Sequence, residues 1–429
     1  MVLINNTGYR DQIKLSCASL QTYTHPFDTI PLLRIYWFTS HKGVSLPVLR
    51  AHQESAIVNM NHYDKGVIVM PTGSGKTYTI ADDINTQNLK GSQVSVVVGP
   101  TIVLTNQLSR EIVEYIDDAD IMHVHSGESG CFTSTDSLDI AAWVALQKNN
   151  AIIFTTYHSL HRVVESEIVI DTIYYDEAHN SIKRQWFDDV EKLSTTAKRC
   201  YYFTATPKHS LTPDKPGMNN EDVYGDIICE VPTTTMIGEG YIVPPTLHTI
   251  TVDNIVSGKY PAEVDITQLL NAIKTCDLNQ VLVSCKNTTQ LYHISTSERF
   301  KSYCWHNDYT VYSICSKYGC FIDDKKVRRD YMMKHMKKNN GKFVLFHIET
   351  LCEGINLPNL DGIVLLKKLS TIKMVQSIGR VLRRSEGKTE GKVILPLYSK
   401  YLTKAETPVM NLMTSVYTDG ATPVEYIRR

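Results

Sequence analysis

The apolar run Val67 to Met70 leads straight into Pro71-Thr72-Gly73-Ser74-Gly75-Lys76-Thr77, after which the composition turns helical. A strand feeding a glycine loop that closes on Lys-Thr leaves few architectures open. Such a loop works only where a parallel α/β sheet presents backbone N–H groups at a helix N-terminus. The glycines let those groups turn toward phosphate oxygens, Lys76 can reach the terminal phosphates, and the Thr77 hydroxyl suits magnesium. A ligand-free glycine turn is the plainer reading, and the combination of strand, loop, Lys and Thr weighs against it.

The rest of the chain keeps the same rhythm. Val94 to Val98, Ile152 to Thr155, Thr172 to Tyr175 and Tyr201 to Phe203 are apolar throughout rather than alternating, as strands buried on both faces should be. After the Gly/Pro-punctuated stretch Gly238 to Pro245, the pattern restarts with Val281 to Ser284, Thr310 to Ile314, Phe343 to Phe346, Ile363 to Leu366 and Val393 to Leu397. At 429 residues the chain is too long for one ordinary domain. The expectation is an α/β protein of two parallel-sheet lobes, 49–245 and 246–400, with an N-terminal accessory segment, 1–48, and a tail, 401–429.

A second chemical element is Tyr174-Tyr175-Asp176-Glu177-Ala178-His179, at the carboxyl end of an apolar strand, the edge where open α/β sheets bind ligands. Asp176 can hold magnesium through water, and Glu177 can polarise the water that attacks a terminal phosphate. A lone Asp-Glu pair would read as a solvated strand end. Here the glycine loop precedes it in the same lobe.

With these residues the chain resembles superfamily 2 helicases that carry a DEAH box, from Leu49 to about Tyr398. Met70, in place of the first glycine of the general phosphate-loop pattern, is a departure that such helicases share. The resemblance implies two RecA-like lobes, ATP and Mg²⁺ as cofactors, and hydrolysis in the cleft between them. It assigns nucleotide binding to Arg50 and Gln53 and to Pro71, Thr72, Gly73, Ser74, Gly75, Lys76 and Thr77, with Thr77 and Asp176 on the metal. Lys76, Asp176, Glu177 and His179 are the implied catalytic residues of the first lobe. Gln376, Arg380 and Arg383 of Gln376-Ser-Ile-Gly-Arg-Val-Leu-Arg383 complete the set, and an arginine so placed can be worth about 10³ to 10⁵ in rate. Thr204-Ala205-Thr206 resembles the motif that links hydrolysis to lobe movement.

Candidate nucleic-acid contacts by the same resemblance are Pro100, Thr101, Thr155 and Thr156 in the first lobe and Ser284, Lys286 and Thr350 in the second. Small hydroxyls at strand ends suit phosphates, which position a strand without reading its sequence. Thr350 to Pro358 resembles the motif joining nucleotide site to bound strand, with Asn356 where aspartate is commoner. Singly, each is an ordinary loop or cap residue. Gly238 to Pro245 is similar to the inter-lobe stretch of the branch containing type III restriction subunits and the UvsW- and XPB-like translocases, so DNA is favoured over RNA as partner. An RNA helicase with the same motor is the alternative, and a non-hydrolysing scaffold a third.

Charge and cysteine usage agree with that reading. Residues 1 to 300 carry 22 Lys/Arg and 33 Asp/Glu, whereas 301 to 429 carry 22 and 12, so a basic second half could follow a phosphate backbone although the net charge is only -1. The ten cysteines form no paired framework and no signal-like leader is visible, which points to a reducing, intracellular setting, with a virus, phage or plasmid enzyme in keeping with the lean chain. No apolar run approaches membrane-spanning length. Cys304, His306, Cys315 and Cys320 lack zinc-ribbon spacing and read as core or surface residues.

Overall fold

The apolar runs assemble into two separate sheets, each covered by helices. The computed structural model describes residues 48–116, 119–212, 215–251, 261–315, 317–348, 357, 359–367, 369–397, 403–418 and 425–428, all within the unit His41–Arg429. The expected N-terminal segment, apart from Val48, lies outside the described residues. So does Thr350 to Pro358, except Leu357.

The first sheet contains β1 (Lys65–Val69), β2 (Val94–Gly99), β3 (Ala119–Val124), β4 (Phe132–Thr133), β5 (Asn150–Thr156), β6 (Thr172–Tyr175), β7 (Arg199–Thr204) and β8 (Ile227–Glu230). Their order is β4-β3-β5-β2-β6-β7-β1-β8, and every pairing is parallel. Val96 to Val98, Ile152 to Phe154 and Ile173 to Tyr175 are fully buried, as strands with helices on both faces must be. The chain leaves β1 and crosses two strands to reach β2. The loops after β1, β6 and β7 therefore share one carboxyl edge beside a switch point, where such sheets bind ligands.

The second sheet holds β9 (Pro245–Thr251), β10 (Gln280–Ser284), β11 (Tyr309–Cys315), β12 (Gly319–Ile322), β13 (Lys325–Val327), β14 (Lys342–His347), β15 (Gly362–Leu365), β16 (Gly391–Leu397) and β17 (Glu425–Arg428), ordered β13-β12-β11-β14-β10-β15-β16-β9-β17. Only the β11–β12–β13 meander is antiparallel. The stretch after residue 400, expected to be a tail, is a correction. Helix Thr403–Tyr417 buries Val409, Met413 and Tyr417, the Tyr417 hydroxyl donates to the Val375 carbonyl at 3.2 Å, and β17 adds an edge strand beside β9. Pro408 inside the helix masks its periodicity in the sequence.

The first lobe is tied together beneath its loops by a buried ion pair. Asp83, on helix Lys76–Asn88, has a fully buried side chain and accepts both arms of the Arg199 guanidinium at 2.9 and 3.0 Å, plus the Tyr174 hydroxyl at 2.6 Å. Arg199 also donates to the Met60 carbonyl at 3.1 Å, at the end of helix Ala51–His62. One carboxylate thus fixes two helices to β6 and β7, which carry the functional loops. Arg199→Met would leave Asp83 charged, buried and unpaired, a loss of about 3–5 kcal/mol. Thermal unfolding of the variant should show a clearly lowered Tm, and Asp83→Asn/Arg199→Met should recover part of it.

Candidate functional site

The glycine loop takes its shape from two left-handed residues, Gly73 and Gly75, both at φ +88°. Gly75 caps helix Lys76–Asn88, and a Cβ there would run into the Gln53 amide. Helix Ala51–His62 splints the loop from outside. Arg50 Nη1 donates to the Gly73 carbonyl at 3.3 Å, Gln53 Nε2 to the Gly75 carbonyl at 3.1 Å, and His52 Nε2 lies 2.9 Å from the Ser74 carbonyl oxygen. Arg50 further stacks over Tyr241 of the inter-lobe stretch, its guanidinium carbon 4.2 Å from the ring centre. Lys76 folds back, donating to the Met70 carbonyl at 3.3 Å.

Asp176 and Glu177 follow β6 directly. Glu177 has φ +48°, a left-handed backbone costly for any residue but glycine. It is held there by Asn180, whose backbone N–H and side-chain amide both donate to the Glu177 carbonyl, at 2.9 and 3.1 Å. Burial and then the Glu177 charge push the Asp176 carboxyl up. Burial also acts to raise Glu177, but Lys76, His179, a Gln376 hydrogen bond and Arg380 outweigh it and hold its carboxyl below the usual value. His179, held below its usual value mainly by burial, lies 3.4 Å from the Glu177 carboxylate and 3.2 Å from the Thr204 hydroxyl. It therefore connects the carboxylate pair to Thr204-Ala205-Thr206.

The second lobe meets this edge with helix Thr371–Val381. Gln376 Nε2 donates to Glu177 Oε2 at 3.3 Å. A Cβ at Gly379 would stand 2.9 Å from the Thr72 Cβ, so the absence of a side chain is what lets the helix lie against the glycine loop. Arg380 and Arg383 line the same cleft of about 800 Å³ as Gln53, Lys76, Asp176 and Glu177. Arg383 is pushed down to about 10 by burial and then by the charge of Arg380. The two guanidiniums are thus packed close enough to disfavour each other, an arrangement that an anion in the cleft would relieve. Lys388, a residue the sequence did not flag, donates to the carbonyls of Leu360, Val381 and Arg383 and secures the end of this arginine-bearing segment.

Among the described residues no other side chain hydrogen-bonds the Asp176 carboxylate or the Thr77 hydroxyl, and no cluster of three or more His, Cys, Asp or Glu forms a metal cage. Those two oxygen donors fit magnesium, which binds through one or two protein ligands together with phosphates and water. Cys304, Cys315 and Cys320 are buried thiols.

The strand contacts expected from the sequence fall in different environments. Thr155 and Thr156 are buried; Thr155 donates to the Val124 carbonyl at 3.0 Å, and the Thr156 hydroxyl accepts the Ser159 N–H at 3.2 Å as a helix cap. The Ser284 side chain is fully buried. Thr101 accepts from the Leu104 N–H at 3.4 Å as the cap of helix Ile102–Val113, and it and Pro100 remain partly exposed. Lys286 is exposed; Thr350 lies outside the described residues.

Comparison with known proteins agrees with this geometry. Residues 46–209 match the family model of the type III restriction enzyme res subunit. Over 402 residues, 87% of this chain and 67% of the relative, the sequence is 23% identical to a protein of Sulfolobus islandicus filamentous virus (isolate Iceland/Hveragerdi) whose name marks it as a helicase, number 22. The fold superposes on the DNA-bound, ATP-dependent type ISP restriction-modification enzyme LlaBIII with a TM-score of 0.72 at 18% identity, covering 89% of this chain and 31% of that one. It also superposes on S. cerevisiae Dbp5, bound to RNA and ADP BeF3, with a TM-score of 0.57 at 15% identity, covering 88% and 89%. The chain spans less than a third of LlaBIII. The fold is that of two tandem RecA-like lobes, and the family model matches the first of them. Over residues 46–209 the chain resembles the type III restriction subunit.

Two buried histidines give the molecule an acid limit. Burial first, then His125 and Arg110, hold His123 down to about 4; burial, then Arg380 and Lys367, hold His347 down to about 3. As pH falls below 6.5, unfolded histidines take up protons that the folded ones refuse, so stability present above 6.5 drains away toward those values. Thermal unfolding at stepped pH should give a falling Tm across this window, flattened in His123→Gln and His347→Gln. A level wild-type profile would contradict the assignment.

Proposed function

We propose that the chain is an ATP-dependent DNA helicase or translocase, hydrolysing ATP in the cleft between its lobes and moving along a nucleic-acid strand. The observation that carries this reading is the meeting of the Arg380–Arg383 pair with Lys76, Asp176 and Glu177 around one cleft. The first lobe has the parts of a DEAH box and a phosphate loop. Lys76 would leave the Met70 carbonyl for the phosphates, while the helix N-terminus and loop N–H groups receive them. Glu177, kept ionised and oriented by Gln376 and His179, would align the attacking water and take its proton. A magnesium ion on Thr77 and Asp176 would neutralise charge developing on the phosphate oxygens. Arg380 and Arg383 come from the other lobe, so hydrolysis waits for closure, and reopening after product release would let the lobes shift their grip in turn.

DNA as the track is supported by the type III restriction likeness and the DNA-bound LlaBIII. The RNA alternative draws on Dbp5, which the chain matches over nearly its whole length.

ATP turnover with matched DNA and RNA oligonucleotides decides. DNA should stimulate turnover, chelation of magnesium should abolish it, Lys76→Ala and Glu177→Gln should be inactive yet folded, and Arg380→Ala should lose about 10³-fold or more. A preference for RNA would move the chain to the alternative, and indifference to both would sink the motor reading. Gly379→Ala should cost about 10²-fold in turnover by holding the arginines off the loop, with nucleotide binding to the first lobe retained.

A further inference from the structure

We propose that Tyr292 and Tyr318, flanked by Lys286 and Lys317, form a platform on the second lobe where bases of a single nucleic-acid strand stack. The proposal rests on the nucleic-acid reading above and adds to it how the strand is held.

Strand register sets the position. β11, β14 and β10 lie side by side and parallel, with Ile314 opposite His347 and His347 opposite Ser284. These three residues therefore mark one level at the carboxyl edge of the sheet. Lys286 lies two residues beyond that level. Cys315 pairs antiparallel with Gly319, so Lys317 and Tyr318 form the turn that projects past the same edge. Helix Thr288–Ser295, which starts there, brings in Tyr292.

The two rings come from different elements, with centroids 6.4 Å apart and planes at 51°. Both remain open to solvent, Tyr292 at 56% and Tyr318 at 42%. The Lys317 ammonium sits 5.2 Å from the Tyr318 ring centre, and Lys286 is exposed. Aromatic faces beside mobile cations are what an unpaired strand requires, with bases on the rings and phosphates on the ammoniums. At the far end of its meander, Lys301 pairs with Asp324 at 2.7 Å. Trp305 is more exposed, at 83%, but it ends helix Glu298–His306 just before β11 begins, at the opposite edge. With the Ser284 hydroxyl buried, the tyrosines and lysines are the aromatic and cationic groups exposed at this edge among the described residues.

A strand gripped in this way is held by its bases without regard to which base is present. Removing the bases should weaken binding of the wild-type chain about 5- to 150-fold per stacked base. The test measures fluorescence anisotropy of the full chain with labelled oligothymidylate and with an abasic strand of equal length. The expected result is a preference for the base-bearing strand of about 10-fold or more. That preference should vanish in Tyr292→Ala/Tyr318→Ala and persist in Tyr292→Phe/Tyr318→Phe. Lys286→Gln/Lys317→Gln should reduce the slope of log affinity against log salt by about 1.4 while keeping the base preference. Because each protein is compared on two strands, a general loss of folding cannot imitate the result. An equal base preference in wild type and the alanine variant, or none in wild type, overturns the platform. Wild type binding neither strand overturns the nucleic-acid reading itself.

Discussion

The clearance at residue 379 governs how the two halves of this protein can cooperate. With no side chain on Gly379, helix Thr371–Val381 rests against Thr72, and the same approach brings Gln376 within 3.3 Å of Glu177 and sets Arg380 at the mouth of the glycine loop. Coulombic effects fall off slowly inside a low-dielectric cleft but hydrogen bonds do not, so a separation greater by one methyl group would cost the glutamine contact before it cost the arginine field. The close approach is thus what turns two charged surfaces into one site.

Each surface alone carries an imbalance. The Glu177 charge raises the cost of ionising Asp176 on one side, and the Arg380 charge lowers Arg383 on the other, each adding to burial. A cation bound at the carboxylates and an anion bound at the arginines would relieve both together, which is the composition of a metal-bound nucleotide. Beneath the loops, the Asp83–Arg199 pair keeps β6, β7 and their helices from yielding to this repulsion.

Much of this could be read in the amino-acid order, for physical reasons that differ between elements. Strands buried on both faces must be continuously apolar, and all ten apolar runs became strands of the two sheets. Strands at or next to a sheet edge escape that requirement: β3 carries Asp120 and His123, β12 and β13 turn on Asp323 and Asp324, and β17 is short, so none announced itself. Within the site, the loop glycines and the Asp-Glu pair have chemistry that few other roles demand. Thr155, Thr156 and Ser284 are buried: a hydroxyl at a strand end can equally bond across the sheet, cap a helix or lie within the core, and only the fold decides which. Lys388, Tyr241 and the Tyr292–Tyr318 pair belong to no short pattern; their partners lie on other elements and come together only in three dimensions.

The inter-lobe stretch has a consequence of its own. Ile242 bridges to Arg383, the Val243 N–H donates to the Leu382 carbonyl at 2.9 Å, and Arg384 reaches back to the Gly240 carbonyl at 2.9 Å. The connection is therefore stitched to the arginine-bearing segment like an extra strand, while Tyr241 within it stacks against Arg50, which holds the glycine loop. One short strip thus touches both the arginine-bearing segment and the residue that braces the glycine loop. Any rotation that withdraws the arginines must therefore also strain the aromatic contact, so the arginine-bearing segment and the glycine-loop brace move together, as a zip opens both sides with one slider.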